Sequence, residues 1–207
     1  MLRHQIKLGL WIVLFSLLPM IKAYAAVQDP VQLLRSIADD MIKGLKANQN
    51  KLKADPHIAF DLANRYVVPH ADISVMSRRV IPPTTWDHAT PEERSEFQAQ
   101  FTQTLVRTYA SSLTAYRNQS VQFYPVRGGY TDKKLVEVRS DITSPSDNQP
   151  INVNYRLIRE GDDWKIVDMS VDGVDMLDSF RSQFDEILSR KNMHELIQQM
   201  IAHNHRT

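Results

Sequence analysis

Residues 162–188, DDWKIVDMSVDGVDMLDSFRSQFDEIL, read as a strand, a polar turn and an amphipathic helix without a break. Trp164, Ile166, Val167, Met169 and Val171 give the strand apolar side chains on both faces. A strand of that kind has to be packed inside a domain. Gly173 can take the backbone angles that a sharp strand-to-helix turn requires. Leu177, Phe180, Phe184, Ile187 and Leu188 then recur at helical spacing, so the helix buries one face. Whatever the chain folds into must put a helix against the end of a sheet at this point.

The spacing predicts four strands, near 121–126, 134–143, 151–159 and 164–171. Gly128-Gly129, Pro145-Ser146-Asp147-Asn148 and Gly161-Asp162 separate them. A two-residue hairpin at Gly161-Asp162 would set Leu157 opposite Ile166, Tyr155 opposite Asp168 and Val153 opposite Ser170. Matching apolar sides places Val136, Val138, Ile142, Ile151 and Val153 on one face, with Tyr155, Leu157, Trp164 and Ile166. Glu137, Arg139, Asp141, Asn152, Asn154 and Arg156 fall on the other, which should be wet. On this register Asp168 shares the apolar face, while Val167, Met169 and Val171 point away.

Helix signals precede and follow the strands. Asp29-Pro30, Asp55-Pro56 and Asp72 each open a helix, and Pro82-Pro83 ends the third. Thr90-Pro91-Glu92-Glu93 is a capping-box start. The helix it opens should run to about residue 116, with Phe97, Phe101, Leu105, Tyr109, Leu113 and Tyr116 on one face. Asn192, with Glu195 three residues on, opens the last helix. Helices, then an antiparallel meander, then helices make an α+β fold. A curved sheet with one apolar face under helices can enclose a cavity.

Residues 1–25 read as a secretory signal peptide. Arg3, His4 and Lys7 make a basic start, an apolar stretch too short for a bilayer span follows, and Ala23-Tyr24-Ala25 supplies a cleavage site. Residues 26–207 then form one domain: a mainly helical part over 26–116, the sheet over 117–172 and C-terminal helices over 173–207. The chain has no cysteine. That excludes a lipoprotein anchor, a thiolate nucleophile and disulfide support, so the fold stands on its hydrophobic core. Arg3, Lys7 and Lys22 all lie in the leader, so the 25 Lys and Arg against 24 Asp and Glu leave the mature chain near neutral, with nothing to suggest nucleic acid. No phosphate-loop, GxGxxG or GxSxG motif is present, and the seven His are scattered without metal-ligand spacing. The one chemical candidate is Asp168, which could act as a general base beside Tyr155. The simpler role for it is to accept a hydrogen bond.

WKIVDMSVDGVDML followed by FRSQFDEIL, together with TTWDHATPEERSEFQAQFTQTLVRTYASSLTAY and the ADISVMSRRV ahead of it, resembles the signature of the MlaC family. Members are also called toluene-tolerance auxiliary proteins, and they bind phospholipid in the periplasm of Gram-negative bacteria. The pieces occur in the family's order and span the chain to about Met200. The resemblance implies an NTF2-like four-stranded antiparallel sheet under several helices, enclosing a deep apolar pocket for acyl chains. It implies a carrier, not an enzyme, with no cofactor beyond the bound glycerophospholipid. Its partners would be an outer-membrane lipoprotein–porin complex and an inner-membrane ABC transporter with an MCE-domain ring, between which it shuttles as a monomer to maintain outer-membrane lipid asymmetry. On that reading the tails lie between two sets of residues. Val136, Val138, Ile142, Val153, Tyr155, Leu157 and Ile166 come from the sheet, and Met76, Val80, Leu105 and Tyr109 from the helices. Arg78, Arg79 and Arg181 are candidate partner contacts.

Overall fold

The computed structural model describes residues 27–116, 118–145 and 147–205, so the leader expected over 1–25 lies outside the described residues. α1 (Pro30–Ala47) begins where the sequence indicates: Asp29 accepts the Val31 N–H at 2.8 Å and Pro30 takes the first helical position. α2 (His57–Tyr66) follows, then a 3-10 turn, Val68–His70. α3 (Ile73–Val80) is capped by Asp72, which accepts the Val75 N–H at 2.9 Å. Pro82-Pro83 does end α3, but Pro83 also opens a helix that the sequence reading lacks, α4 (Pro83–His88). Proline is barred from a helix interior and favoured at its first position, where its missing N–H is not needed. α5 (Pro91–Leu113) carries the expected reciprocal cap between Thr90 and Glu93, at 3.1 and 2.9 Å. It stops at Leu113 instead of near 116.

The sheet is an antiparallel meander of β1 (Ser120–Phe123), β2 (Leu135–Ser144), β3 (Asp147–Glu160), β4 (Asp163–Val171) and β5 (Val174–Asp175), in that spatial order. α6 (Met176–Leu188) and α7 (Met193–Asn204) complete the chain. Four strands were expected and five are present. Asp172 and Gly173 both adopt left-handed angles, φ 48° and 83°. They form a two-residue turn that pairs Val171 with Val174 before α6 starts. Asp175 then caps α6, accepting the Asp178 N–H at 3.0 Å. A Cβ added at Gly173 would meet nothing within 4 Å, so a substitution there is opposed by backbone conformation alone. Gly173→Ala should therefore lower stability by about 1–2 kcal/mol in urea unfolding.

The register is right up to Leu157 and wrong beyond it. β2 and β3 pair Val136 with Leu157, Val138 with Tyr155 and Ile142 with Ile151, which puts these residues on one face as expected, and Leu157 does oppose Ile166. The next pair is Arg156 with Asp168, so Val167 is an extra residue in β4, a β-bulge. Tyr155 consequently faces Met169 and Val153 faces Val171. Side chains alternate along a strand, so the bulge exchanges the two faces of the rest of β4. Asp168 and Ser170 go to the Arg156 side. Met169 and Val171 go to the Tyr155 side.

Two apolar clusters dominate the core. One gathers Met76 and Val80 of α3, Trp86 of α4, Phe97 and Phe101 of α5, Phe180 and Phe184 of α6 and Leu196 of α7. The other lies between α1 and the sheet. α7 is held to α5 by a buried polar set: Asn204 donates to the Gln100 backbone and side-chain oxygens at 3.0 and 2.9 Å and accepts from Thr104 at 3.1 Å.

Candidate functional site

The apolar face of the sheet is roofed by α1. Leu33, Leu34 and Ile37 pack on Phe123, Val136, Val138, Leu157, Trp164 and Ile166. Trp164 is buried, and its indole N–H donates to the Gln28 carbonyl at 2.8 Å. Gln28 in turn donates its N–H to the Asp162 carbonyl at 3.0 Å, so the segment leading into α1 is fastened to the β3–β4 turn. The reverse face is wet, with Glu137, Arg139, Asn152 and Arg156 exposed. An amphipathic helix over such a sheet leaves a seam that is apolar on both sides.

The residues expected to line a pocket are divided between the two clusters. Val136, Val138, Leu157 and Ile166 are buried together under α1, with Tyr155 half-buried against them. Burial pushes the Tyr155 phenol up, so the group is neutral. Val153 is buried and Ile142 half-buried on β3 and β2. Met76, Val80, Leu105 and Tyr109 belong to the aromatic cluster with α6 and α7. Leu33 of α1 and Phe123 of β1 are also part of the sheet-side surface and are missing from the expected set. The stripe of α1, including Leu34 and Ile37, is legible in sequence, but nothing in it says which face of which element it covers.

Asp168 is the centre of an ion network. One carboxylate oxygen accepts from Arg79 of α3 at 2.7 Å and from Arg156 of β3 at 2.8 Å, and the other accepts the Met169 N–H at 2.8 Å. Arg156 also reaches Asp175 at 3.1 Å. Burial pushes the Asp168 carboxyl up, against the pull of Arg79. Asp175, though partly buried, is held low by the Asp178 N–H and by the arginines. The expectation that Asp168 faces Tyr155 as base and donor is overturned by the bulge, which puts the two on opposite sides of the sheet. Both Asp168 oxygens are already engaged, which leaves it a tie between α3, the sheet and the start of α6. Arg79 is spent internally in the same way, and Arg181 pairs with Asp185 at 3.8 Å.

Among the described residues no group of three His, Cys, Asp or Glu is arranged to hold a metal ion, and no helix is long and apolar enough to cross a membrane. The chain resembles characterised proteins over most of its length. Toluene tolerance protein ttg2D of Pseudomonas putida is 27% identical over 179 residues, covering 86% of this chain and 81% of that one. The intermembrane phospholipid transport system binding protein MlaC of Haemophilus influenzae is 25% identical over 201 residues, covering 95% and 92%. A phospholipid-binding protein from Ralstonia solanacearum, solved in complex with a phospholipid, has the same fold, with a TM-score of 0.76 at 27% identity over 87% of this chain and 97% of that one. The family described as MlaC protein matches residues 35–202, from within α1 to within α7. The chain belongs to the MlaC family.

Proposed function

We propose that this protein is a periplasmic carrier of glycerophospholipid. It is exported by a signal peptide over 1–25 and moves lipid as a monomer between an outer-membrane lipoprotein–porin complex and an inner-membrane ABC transporter with an MCE-domain ring. Transport of this kind maintains the lipid asymmetry of the outer membrane. The observation that carries the reading is the apolar sheet face roofed by an amphipathic helix, in a fold shared with a protein solved with phospholipid bound.

The physical demand on such a carrier is severe. Two acyl chains of about 32 carbons, at roughly 0.8 kcal/mol per methylene, cost on the order of 25 kcal/mol to hold in water. A shallow groove does not offset that, so the tails must be almost wholly enclosed. Val136, Val138, Ile142, Val153, Tyr155, Leu157 and Ile166 supply the sheet side of the enclosure. Met76, Val80, Leu105 and Tyr109 supply the helix side. Tails entering there part α1 and the helices from the sheet without disturbing the hydrogen-bonded strands. The chain has no nucleotide motif, so loading and unloading are driven by its partners.

Organic extraction of the purified mature protein, followed by mass spectrometry, tests the reading. About one phospholipid per protein is the expected result. A protein that purifies free of lipid and takes none up from vesicles would overturn it.

A further inference from the structure

β2 is longer than the strand that covers it. β1 pairs with β2 only from Ser120 opposite Thr143 to Phe123 opposite Ser140. One further main-chain bond, from the Tyr124 N–H to the Arg139 carbonyl at 2.9 Å, ends the pairing. Pro125 comes next with its main chain facing away from β2, and Val126, the next residue in reach, gives its carbonyl to the Gly129 N–H at 3.2 Å and makes no bond to Glu137. The chain then leaves the sheet, turns through Gly128 and Gly129 at φ 72° and 73°, and rejoins it at Leu135. In a strand, alternate residues direct their main-chain groups to opposite neighbours. The Arg139 carbonyl points toward β1, and the Lys134 carbonyl accepts from Arg159 of β3 at 2.9 Å. Leu135 and Glu137 therefore direct their N–H and C=O groups away from β3, and no group among the described residues pairs with them.

A cleft of about 390 Å³ runs along this open edge. Tyr124, Pro125 and Val126 line one side, and Leu135, Val136 and Glu137 line the other. Three consecutive strand residues can share a cleft only where it follows the strand's edge, because successive side chains point to opposite faces. Leu135 is 55% exposed. The charged residues of the lining are Arg127, Lys133 and Arg139 against Glu137 alone. Two of the cations are fixed in place: Arg139 lies over the Tyr124 ring at 5.8 Å, and Lys133 donates to the Arg127 carbonyl at 2.8 Å. The far side of the sheet shows no such opening, since Asp72 donates its N–H to the Ile166 carbonyl at 2.9 Å and β5 covers Ser170 and Val171.

We propose that the open edge of β2 is a docking slot for an extended, acidic peptide segment of a partner protein, which adds to the sheet as a short strand against Leu135 and Glu137. Main-chain hydrogen bonds supply affinity in this mode of recognition. The exposed Leu135 offers an apolar contact, and the three cations select acidic side chains and reject basic ones. The slot does not depend on lipid carriage.

The test uses an eight-residue peptide of alternating Glu and Val, capped at both ends, titrated into the full mature protein and followed by amide NMR. Saturable binding that shifts the Leu135 and Glu137 amides and protects them from exchange is expected. A peptide N-methylated at every residue, and one with Lys in place of Glu, should each bind at least about tenfold more weakly. Leu135→Pro removes an N–H that no strand uses and should weaken the Glu-Val peptide by a similar factor. If that variant does not fold, the two control peptides on the parent protein decide the matter. No binding, equal binding of either control peptide, or shifts confined to other amides would overturn the proposal. So would anionic phosphatidylglycerol vesicles that bind at these amides when the peptide does not. Phospholipid content measured on the same samples reports on carriage separately and should not change with Leu135→Pro.

Discussion

Replacing Asp168 with Ala should lower the unfolding free energy by about 3 kcal/mol, near the bottom of the range for removing one partner of a buried ion pair. The loss is large because the carboxylate is 1% exposed and gathers two guanidiniums and a backbone N–H. It stays near the bottom because Arg79 and Arg156 keep 36% and 45% of their side chains exposed, and water can solvate them when Asp168 is gone. Asp168→Asn should cost less, since the amide oxygen can still accept from one arginine. Urea unfolding of the two variants measures both effects. A loss under about 1 kcal/mol for Asp168→Ala would mean that the network is a surface ornament. α3 and the start of α6 would then be held to the sheet by apolar contacts alone.

Val138→Glu should cut co-purifying phospholipid at least about tenfold, since an unpaired carboxylate in an apolar wall costs more than the 1.4 kcal/mol that a factor of ten requires. Val138 has no exposed surface, and it pairs with Tyr155 at the middle of the β2–β3 face that α1 covers. Arg139→Glu places the same charge one residue along, on the wet face, and should leave the lipid content unchanged. Extraction and mass spectrometry of both proteins, with circular dichroism to confirm that each is folded, separate a lipid-facing wall from a general effect of charge. Equal lipid in Val138→Glu and the parent would remove the β2–β3 face from the proposed enclosure.

The parts of the fold that sequence made legible are those decided by neighbours along the chain. Thr90 with Glu93 and Asn192 with Glu195 mark helix starts because the capping partners are three residues apart. Gly161-Asp162 sets a two-residue hairpin, and alternation from there carries the register to Leu157 and Ile166. What failed depended on longer-range packing. The alternation in β4 does change phase at Val167, with Trp164 and Ile166 apolar before it and Met169 and Val171 after it, but the adjacent Ile166-Val167 pair reads equally as a strand buried on both faces. The bulge moved Asp168 from the presumed pocket to the ion network and brought Met169 and Val171 the other way. Pro82-Pro83 reads equally as an end and a beginning, and the helix it opens is fixed by the burial of Trp86 in the aromatic cluster. The sheet half of the proposed lipid surface was likewise legible from alternation. Its roof was not, because the stripe on α1 names no partner.

Trp86 and Trp164 are the only tryptophans among the described residues, and they sit in different clusters. Trp164 stands at the seam between α1 and the sheet, its ring dry and its N–H held by Gln28. If α1 lifts, water reaches that ring first and its fluorescence shifts to the red, while Trp86, edge-on to Phe97 in the other cluster and away from α1, keeps its colour. The molecule thus carries its own optical gauge of the seam, with an internal standard, and loading can be timed without attaching a dye.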